Sequence, residues 1–201
     1  MSKKIWLIRH GESTANAGSA TDNHETIPLS PKGWKQAEQI SLLFKGAPSL
    51  IITSPFTRTR QTAEPTLRRF PNVRHEVWDV QEFTYLAPHT CTNTTAAERK
   101  ARVNEYWNRV DPNDIDGEGA ESFSMLLSRA KIAIDHLKRL EDGFIVMFTH
   151  AQFMRAMHIL KANNTEDAKA LMKQFRELPR FENCQVVEWD NDKTADQESN
   201  I

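Results

Sequence analysis

Five short apolar runs punctuate the chain, and between them apolar residues recur at helical spacing. The first, Ile5-Trp6-Leu7-Ile8, follows Lys3-Lys4 and ends at Arg9-His10; continuous apolarity of this length is that of a strand buried on both faces of a parallel sheet. Ser49 to Thr53 follows Pro48 and stops at Ser54-Pro55, Val73 to Val77 alternates after Pro71-Asn72, and Phe144 to Phe148 follows the turn signal Asp142-Gly143. Val186-Val187 with Trp189 is the fifth run. Ser30-Pro31 supplies a cap and a first-position proline, which predicts a helix running to Lys45 and closed by Gly46. Its apolar positions Trp34, Ala37, Ile40, Leu43 and Phe44 share a face. Phe56 to Phe70 is helix-compatible, with Pro65 expected to bend or interrupt it. Glu121 to Leu140 puts Phe123, Leu126, Leu127, Ala130, Ile134 and Leu137 on one side, with Ser122 or Ser124 as its cap, and two more helices follow over 151–161 and about 164–176.

Strands alternating with helices predict an α/β fold, a three-layer sandwich whose mostly parallel central sheet is covered by helices on both faces. At 201 residues the chain suits one domain, here residues 1–189, with no internal repeats. The polar segment from about Phe83 to Ala120 breaks the alternation, carries one helical stretch around Ala96 to Val110, and reads as a lid-like insertion that selects substrate. Residues 190–201 are polar and charged, and a flexible tail is expected there.

Composition narrows the partners. Apolar content of 39% and charged content of 26% are those of a globular protein, and a formal net charge of -1 gives no general field for nucleic acid or a membrane surface. An anion must therefore be bound by a local cluster. Cys91 and Cys184 match no metal or redox spacing and read as reduced thiols. The apolar stretch in MSKKIWLIRHGES is far too short for a signal-peptide core, and no stretch approaches a membrane span, so a cytoplasmic location is expected.

Such a cluster follows from the strands. Open α/β sheets bind ligands beyond the carboxyl ends of their strands. Arg9-His10-Gly11 follows the first run, Ser54-Pro55-Phe56-Thr57-Arg58 the second, Gln81-Glu82-Phe83 the third, and Thr149-His150-Ala151 the fourth. On one parallel sheet, two arginines, two histidines and a carboxylate converge on one crevice. Arginines fork onto phosphate oxygens, and a helix starting just after Ser54-Pro55 would add backbone N–H donors. A neutral imidazole whose other nitrogen is held by a hydrogen bond can attack phosphorus, and Glu82 is suited to move the proton. With cations supplying the charge stabilisation, no metal or other cofactor is called for.

These fragments resemble the histidine phosphatase superfamily, the phosphoglycerate mutase-like proteins. Arg9-His10-Gly11-Glu12-Ser13-Thr14-Ala15-Asn16 is similar to its signature, Leu29-Ser30-Pro31-Lys32-Gly33-Trp34-Lys35-Gln36-Ala37 to its next helix start, Ser54-Pro55 through Arg58 to Gln61-Thr62-Ala63 to its second motif, and Thr149-His150 to its last. The resemblance implies His10 as the phosphorylated nucleophile, Glu82 as proton donor, and a phosphate pocket of Arg9, Arg58 and His150, with Asn16 contacting the transferred phosphate. A phosphorylated small molecule is the expected substrate.

The chain departs from the family pattern in three places. Ala151 stands where the family usually has glycine, Gln81-Glu82-Phe83 lacks the glycine and tryptophan that often follow, and Ala17 to Pro28 lacks the substrate-gripping sequence of the mutases. The departures favour hydrolysis over a mutase. The long insertion argues against a phosphatase of phosphohistidine on protein, because bulky protein substrates need an open crevice, and the presence of every catalytic histidine and arginine argues against a catalytically silent phosphate-binding module. Glu12 reads as a loop-bonding residue and Arg60 as a surface charge, because residues two apart on a helix do not share a face. His75, His136 and His158 read as structural, His24 and His89 as solvated loop residues, and Tyr85, Arg99 and Arg102 fall outside the expected site.

Overall fold

A computed structural model of the protein describes residues 2–163 and 165–190. Its elements are β1 (Lys4–Arg9), α1 (Pro31–Leu42), β2 (Leu50–Thr53), α2 (Thr57–Arg69), β3 (Arg74–Val77), α3 (Pro88–Cys91), α4 (Lys100–Arg109), α5 (Phe123–Arg139), β4 (Phe144–Thr149), α6 (Ala151–Ala162), α7 (Ala168–Glu177) and β5 (Val186–Trp189). The sheet order is β3-β2-β4-β1-β5; the first four strands in this order run parallel, and β5 runs antiparallel to β1.

Alternate residues of the inner strands feed two cores. Ile5, Leu7, Leu50, Ile52, Ile145 and Met147 face the layer of α5, α6 and α7, whereas Ile8, Ile51, Val146 and Phe148 face α1 and α2. A strand clothed on both faces must be apolar on both, which is why the inner runs show no alternation. The three-layer α/β sandwich expected from the sequence is the architecture observed.

The helix boundaries follow their caps. Ser30 Oγ accepts from Gly33 N at the start of α1, and Ser122, not Ser124, caps α5 by accepting from Met125 N. Pro65 does not interrupt α2, which continues to Arg69; a proline removes a single backbone donor, here the one that would reach the Gln61 carbonyl. The helix α7 begins at Ala168, later than the spacing predicted, because Asp167 accepts from Lys169 N and Ala170 N. Within 83–120, the helix expected around Ala96 to Val110 is α4, over Lys100–Arg109, and the short α3 precedes it. Tyr106 and Trp107 of α4 pack on Phe83, Phe123 and Phe175, so this segment is tied into the larger core. The predicted tail lies, beyond Asp190, outside the described residues. No helix among the described residues is long and apolar enough to cross a membrane.

Candidate active site

The four parallel strands deliver their carboxyl ends to one edge, and register decides which residues meet there. Arg9 pairs with Thr149 across β1 and β4, so the next residues, His10 and His150, stand side by side with ring centroids 5.1 Å apart. Thr53 pairs with Phe148, which sets Ser54 against the end of β4 and its Oγ 2.7 Å from His150 Nε2. Thr149 Oγ1 donates to the Val80 carbonyl (2.6 Å), fastening the chain between β3 and Glu82 to the same edge.

Two glycines make the entry of His10 possible. A Cβ on Gly11 would lie 2.7 Å from the Gly33 carbonyl oxygen, and one on Gly33 would lie 2.0 Å from that of Glu12. The exit of β1 and the first turn of α1 thus touch backbone to backbone. Around them, Ser30 N donates to the Glu12 carbonyl, Ser30 Oγ donates to Glu12 Oε1, and Lys32 pairs with Glu12 Oε2 at 2.8 Å. Glu12 is a strut of this junction, as its loop position suggested.

His10 is buried, and its partners fix its tautomer. Nδ1 lies 2.7 Å from the Gly11 carbonyl, which can only accept, so Nδ1 carries the hydrogen. Nε2 therefore presents its lone pair, which accepts from Arg58 Nε at 3.2 Å. Burial, then the charges of Arg58 and Arg9, hold the His10 pKa well below the usual histidine value, so the ring is neutral near neutral pH. Arg58 is buried too, with Nη1 donating to the His24 carbonyl (2.8 Å), and burial lowers its pKa to about 10, which still leaves it charged.

A similar argument treats His150. Ser54 Oγ accepts from Phe56 N, and Thr59 Oγ1 gives its one hydrogen to the Phe56 carbonyl at 2.7 Å. Ser54 must then donate to Thr59 and accept from His150 Nε2–H. That leaves His150 Nδ1 buried without a partner. Its pKa is also held well below the usual value, by burial first and by Arg58 next. An unpaired buried ring nitrogen beside two arginines is an opening for an anion that brings or stabilises a proton.

Arg9 donates from Nη1 to the Phe181 carbonyl at 2.6 Å, while its Nε is buried without a partner. Glu82 Oε1 accepts from Gln152 N (3.0 Å) in the first turn of α6 and from Phe83 N (3.2 Å), which leaves Oε2 for other chemistry. Two cavities meet at Glu82. One, of about 190 Å³, is bordered by Ile27, Phe56, Arg58, Leu86 and Val103. The other, of about 480 Å³, is bordered by Arg9, Gln152, Arg155, Arg176 and Arg180.

The structure brings His10, His150, Arg9, Arg58 and Glu82 together and leaves Asn16 apart. Asn16 is exposed and borders neither cavity; its Oδ1 accepts from Asn183 Nδ2, which also donates to the His10 carbonyl. The N–H donors expected after Ser54-Pro55 are already engaged: Phe56 N by Ser54, Thr57 N by the Glu25 carbonyl, and Thr59 N by the Phe56 carbonyl. Arg60 is exposed, as expected.

Several contributors escaped the sequence reading. Thr62 Oγ1 accepts from Gly11 N, one helical turn beyond Arg58, whose carbonyl it bonds. His24 is not a solvated loop residue but packs edge-on against Phe56 beside Arg58. Tyr85 borders both cavities and Arg99 the smaller one, while Arg102 is paired with Asp116. Cys184 N, held at a φ of 58°, is shared between the Arg9 and His10 carbonyls. Only Thr62, four residues after Arg58, carried a positional signal.

The model of the histidine phosphatase superfamily (branch 1) matches residues 5–169. The chain belongs to that superfamily. It is 27% identical over 148 residues to the adenosylcobalamin/alpha-ribazole phosphatase of Salmonella typhimurium, covering 71% of this chain and 72% of that one. It is 26% identical to the 2-carboxy-D-arabinitol-1-phosphatase of Triticum aestivum, over 77% of this chain and 32% of that longer protein. Among solved structures, the alpha-ribazole phosphatase of Shigella flexneri superimposes with a TM-score of 0.73 at 18% identity, covering 93% of this chain and 90% of that one. At that identity the likeness is one of fold.

Proposed function

We propose that the protein is a metal-independent phosphatase that hydrolyses a phosphomonoester of a small molecule through phosphohistidine at His10, in the cytoplasm. The observation that carries this reading is the His10 tautomer: the Gly11 carbonyl holds Nδ1–H, and Nε2 presents a lone pair into a cationic pocket. Membership of the histidine phosphatase superfamily, and relatives named as phosphatases, support it. Two free cysteines, Cys91 and Cys184, are in keeping with a reducing compartment.

In this mechanism Arg9, Arg58 and His150 hold the phosphoryl oxygens, and Arg58 Nε passes from His10 Nε2 to the incoming phosphate. The Nε2 lone pair forms a bond to phosphorus as the bond from phosphorus to the ester oxygen breaks. Glu82, protonated at Oε2, gives its proton to that oxygen, and the alcohol leaves. The Glu82 carboxylate then takes a proton from water as the water oxygen attacks phosphorus, and Nε2 recovers its lone pair. The negative charge on the equatorial oxygens is stabilised by guanidinium groups positioned before the reaction begins. In this reading the 83–120 segment is a substrate-selecting lid, and Asn16 reaches the transferred phosphate only if its contact with Asn183 opens.

The test is turnover of p-nitrophenyl phosphate in chelator, with rapid quenching in alkaline detergent to trap protein labelled from the radioactive phosphoryl group. An alkali-stable, acid-labile phosphoryl group that His10→Ala eliminates is the expected result. Tight vanadate binding with no turnover of any ester in a broad panel would instead mark a silent phosphate-binding module.

A further inference from the structure

Arg9, Arg155, Arg176 and Arg180 border the larger cavity, between the end of β1, the start of α6, the end of α7 and the approach to β5. Glu82 is the one carboxylate among the described residues that line it. Four guanidinium groups against one carboxylate is a local excess of positive charge in a chain whose formal net charge is -1.

Ion pairing does not remove that excess. None of the four arginines belongs to an ion pair among the described residues. Their partners are neutral. Arg155 donates to the Phe175 and Leu178 carbonyls and lies 4.4 Å over the Phe175 ring. Arg176 donates to the Trp107 carbonyl and to Asn108 Oδ1, both at 3.2 Å. The Nε groups of Arg9 and Arg155 are both buried without a partner. Arg180 is exposed, and beyond burial its charge helps to depress the pKa of both Arg9 and Arg155. Neutral acceptors orient these side chains without cancelling their charge, and an arriving anion adds to the attraction that Glu82 and Glu182 already exert on Arg9, and Glu82 on Arg155.

We propose that this cavity takes a second anionic group of the substrate, a carboxylate or phosphate carried by the same molecule as the scissile ester. The inference rests on the phosphatase reading, because it takes the ester to lie at His10. Arg9 joins the two sites: it directly precedes His10 and borders the cavity, so a leaving group passing Glu82 on that side reaches Arg155 and Arg180. The structure thus assigns to the chain a preference for bis-anionic phosphate esters, set by residues of α6, α7 and the approach to β5.

The experiment compares alkyl phosphates of two to six carbons with partners of equal length ending in a carboxylate or a phosphonate. At the matching length, kcat/KM for a terminal-anion ester should exceed that of its methyl-ended partner by at least about tenfold. Arg180→Gln and Arg176→Gln, at exposed positions, should each cut that ratio severalfold, chiefly through KM. A merely structural loss would lower both esters and leave the ratio intact. The carboxylate and phosphonate arms identify which anion is preferred. Equal kcat/KM at every length, or a ratio that survives both substitutions, overturns the proposal. If no ester is turned over, the phosphatase reading fails, and calorimetric titration with the same compounds decides the subsite. Selective binding of terminal-anion members that weakens in Arg180→Gln upholds it, and indifferent binding overturns it.

Discussion

On one side of Glu82 lies a cavity of about 190 Å³ walled by Ile27, Phe56, Leu86 and Pro88; on the other lies one of about 480 Å³ walled by Arg9, Arg155, Arg176 and Arg180. The buried His10 contacts Arg58, which borders the first, and directly follows Arg9, which borders the second. The machinery between the cavities comes from strand ends whose mutual positions are fixed by the register of a sheet. The walls come largely from the connection between β1 and α1, the 83–120 segment, α6, α7 and the approach to β5. In the proposed reading, reaction type and substrate choice are borne by different parts of the chain, and each can be altered while the other is read out.

The severest test removes the shared floor. His10→Ala should lower turnover by at least about 10³-fold for aryl, alkyl and terminal-anion esters alike. A substrate spared by this change would mean that its cavity serves another site. Glu82→Gln comes next. Its loss of proton transfer should cost about 10²- to 10⁴-fold in kcat for alkyl esters. The cost should be much smaller for p-nitrophenyl phosphate, whose leaving group departs without help. Equal losses on both would remove Glu82 from the role of acid.

Gly33→Ala probes the scaffold under the floor. A Cβ there would meet the Glu12 carbonyl oxygen at 2.0 Å, so the Arg9-His10 loop must shift. Overpacking of this kind costs about 1–3 kcal/mol, readable as a lowered thermal midpoint. A displaced nucleophile can lose about 10²-fold in rate, equally for substrates of either cavity. Unchanged rates would show that His10 is held independently of α1.

The same contrast divides what the sequence could reveal. Strand ends are legible because an apolar run fixes both the strand and where it stops, so Arg9-His10, Arg58 and Thr149-His150 could be placed before any coordinates. Glu82 was legible for the same reason, although its lodging on Gln152 N was not. Asn16 was drawn in by motif position, yet its side chain answers to Asn183, from a connection whose polar sequence has no period. Arg155, Arg176 and Arg180 looked like ordinary charges on helices and loops. Their significance lies in what they lack, a carboxylate partner, and pairing across α6, α7 and the approach to β5 is a tertiary fact. The donors expected at the start of α2 failed likewise, because Glu25 and Ser54 had claimed them from outside any local pattern.

Protonation offers a finer probe of the shared floor. His10 and His150 are both held well below the usual pKa in the folded chain, whereas the unfolded chain titrates near ~6.5. As pH falls through that value the unfolded state takes up protons that the native state refuses, so stability drops, by up to ~1.4 kcal/mol per pH unit for each histidine. Thermal midpoints between pH 7 and 5 should show the fall, and His10→Ala should flatten it. In kinetics, the acidic limb of kcat/KM, corrected for the substrate's own phosphate titration, should coincide for substrates of both cavities. Arg58→Gln removes a repelling charge and should move that limb to higher pH. Limbs that differ between the two substrate types would mean the floor is not common.

The smallest effect separates the walls themselves. Ile27 is half-buried against the apolar cavity and lies outside the cationic one. Ile27→Ala removes part of an apolar surface, and losses of this kind are worth about tenfold in selectivity. The ratio of kcat/KM for naphthyl phosphate over ethyl phosphate should fall by about that factor, with the change in KM, because the contact is made equally in ground and transition states. The ratio of terminal-anion to methyl-ended esters should not move, since Ile27 does not border the cavity of Arg155, Arg176 and Arg180. Movement of both ratios together would mean that the two cavities are one deformable space and that Glu82 does not divide them.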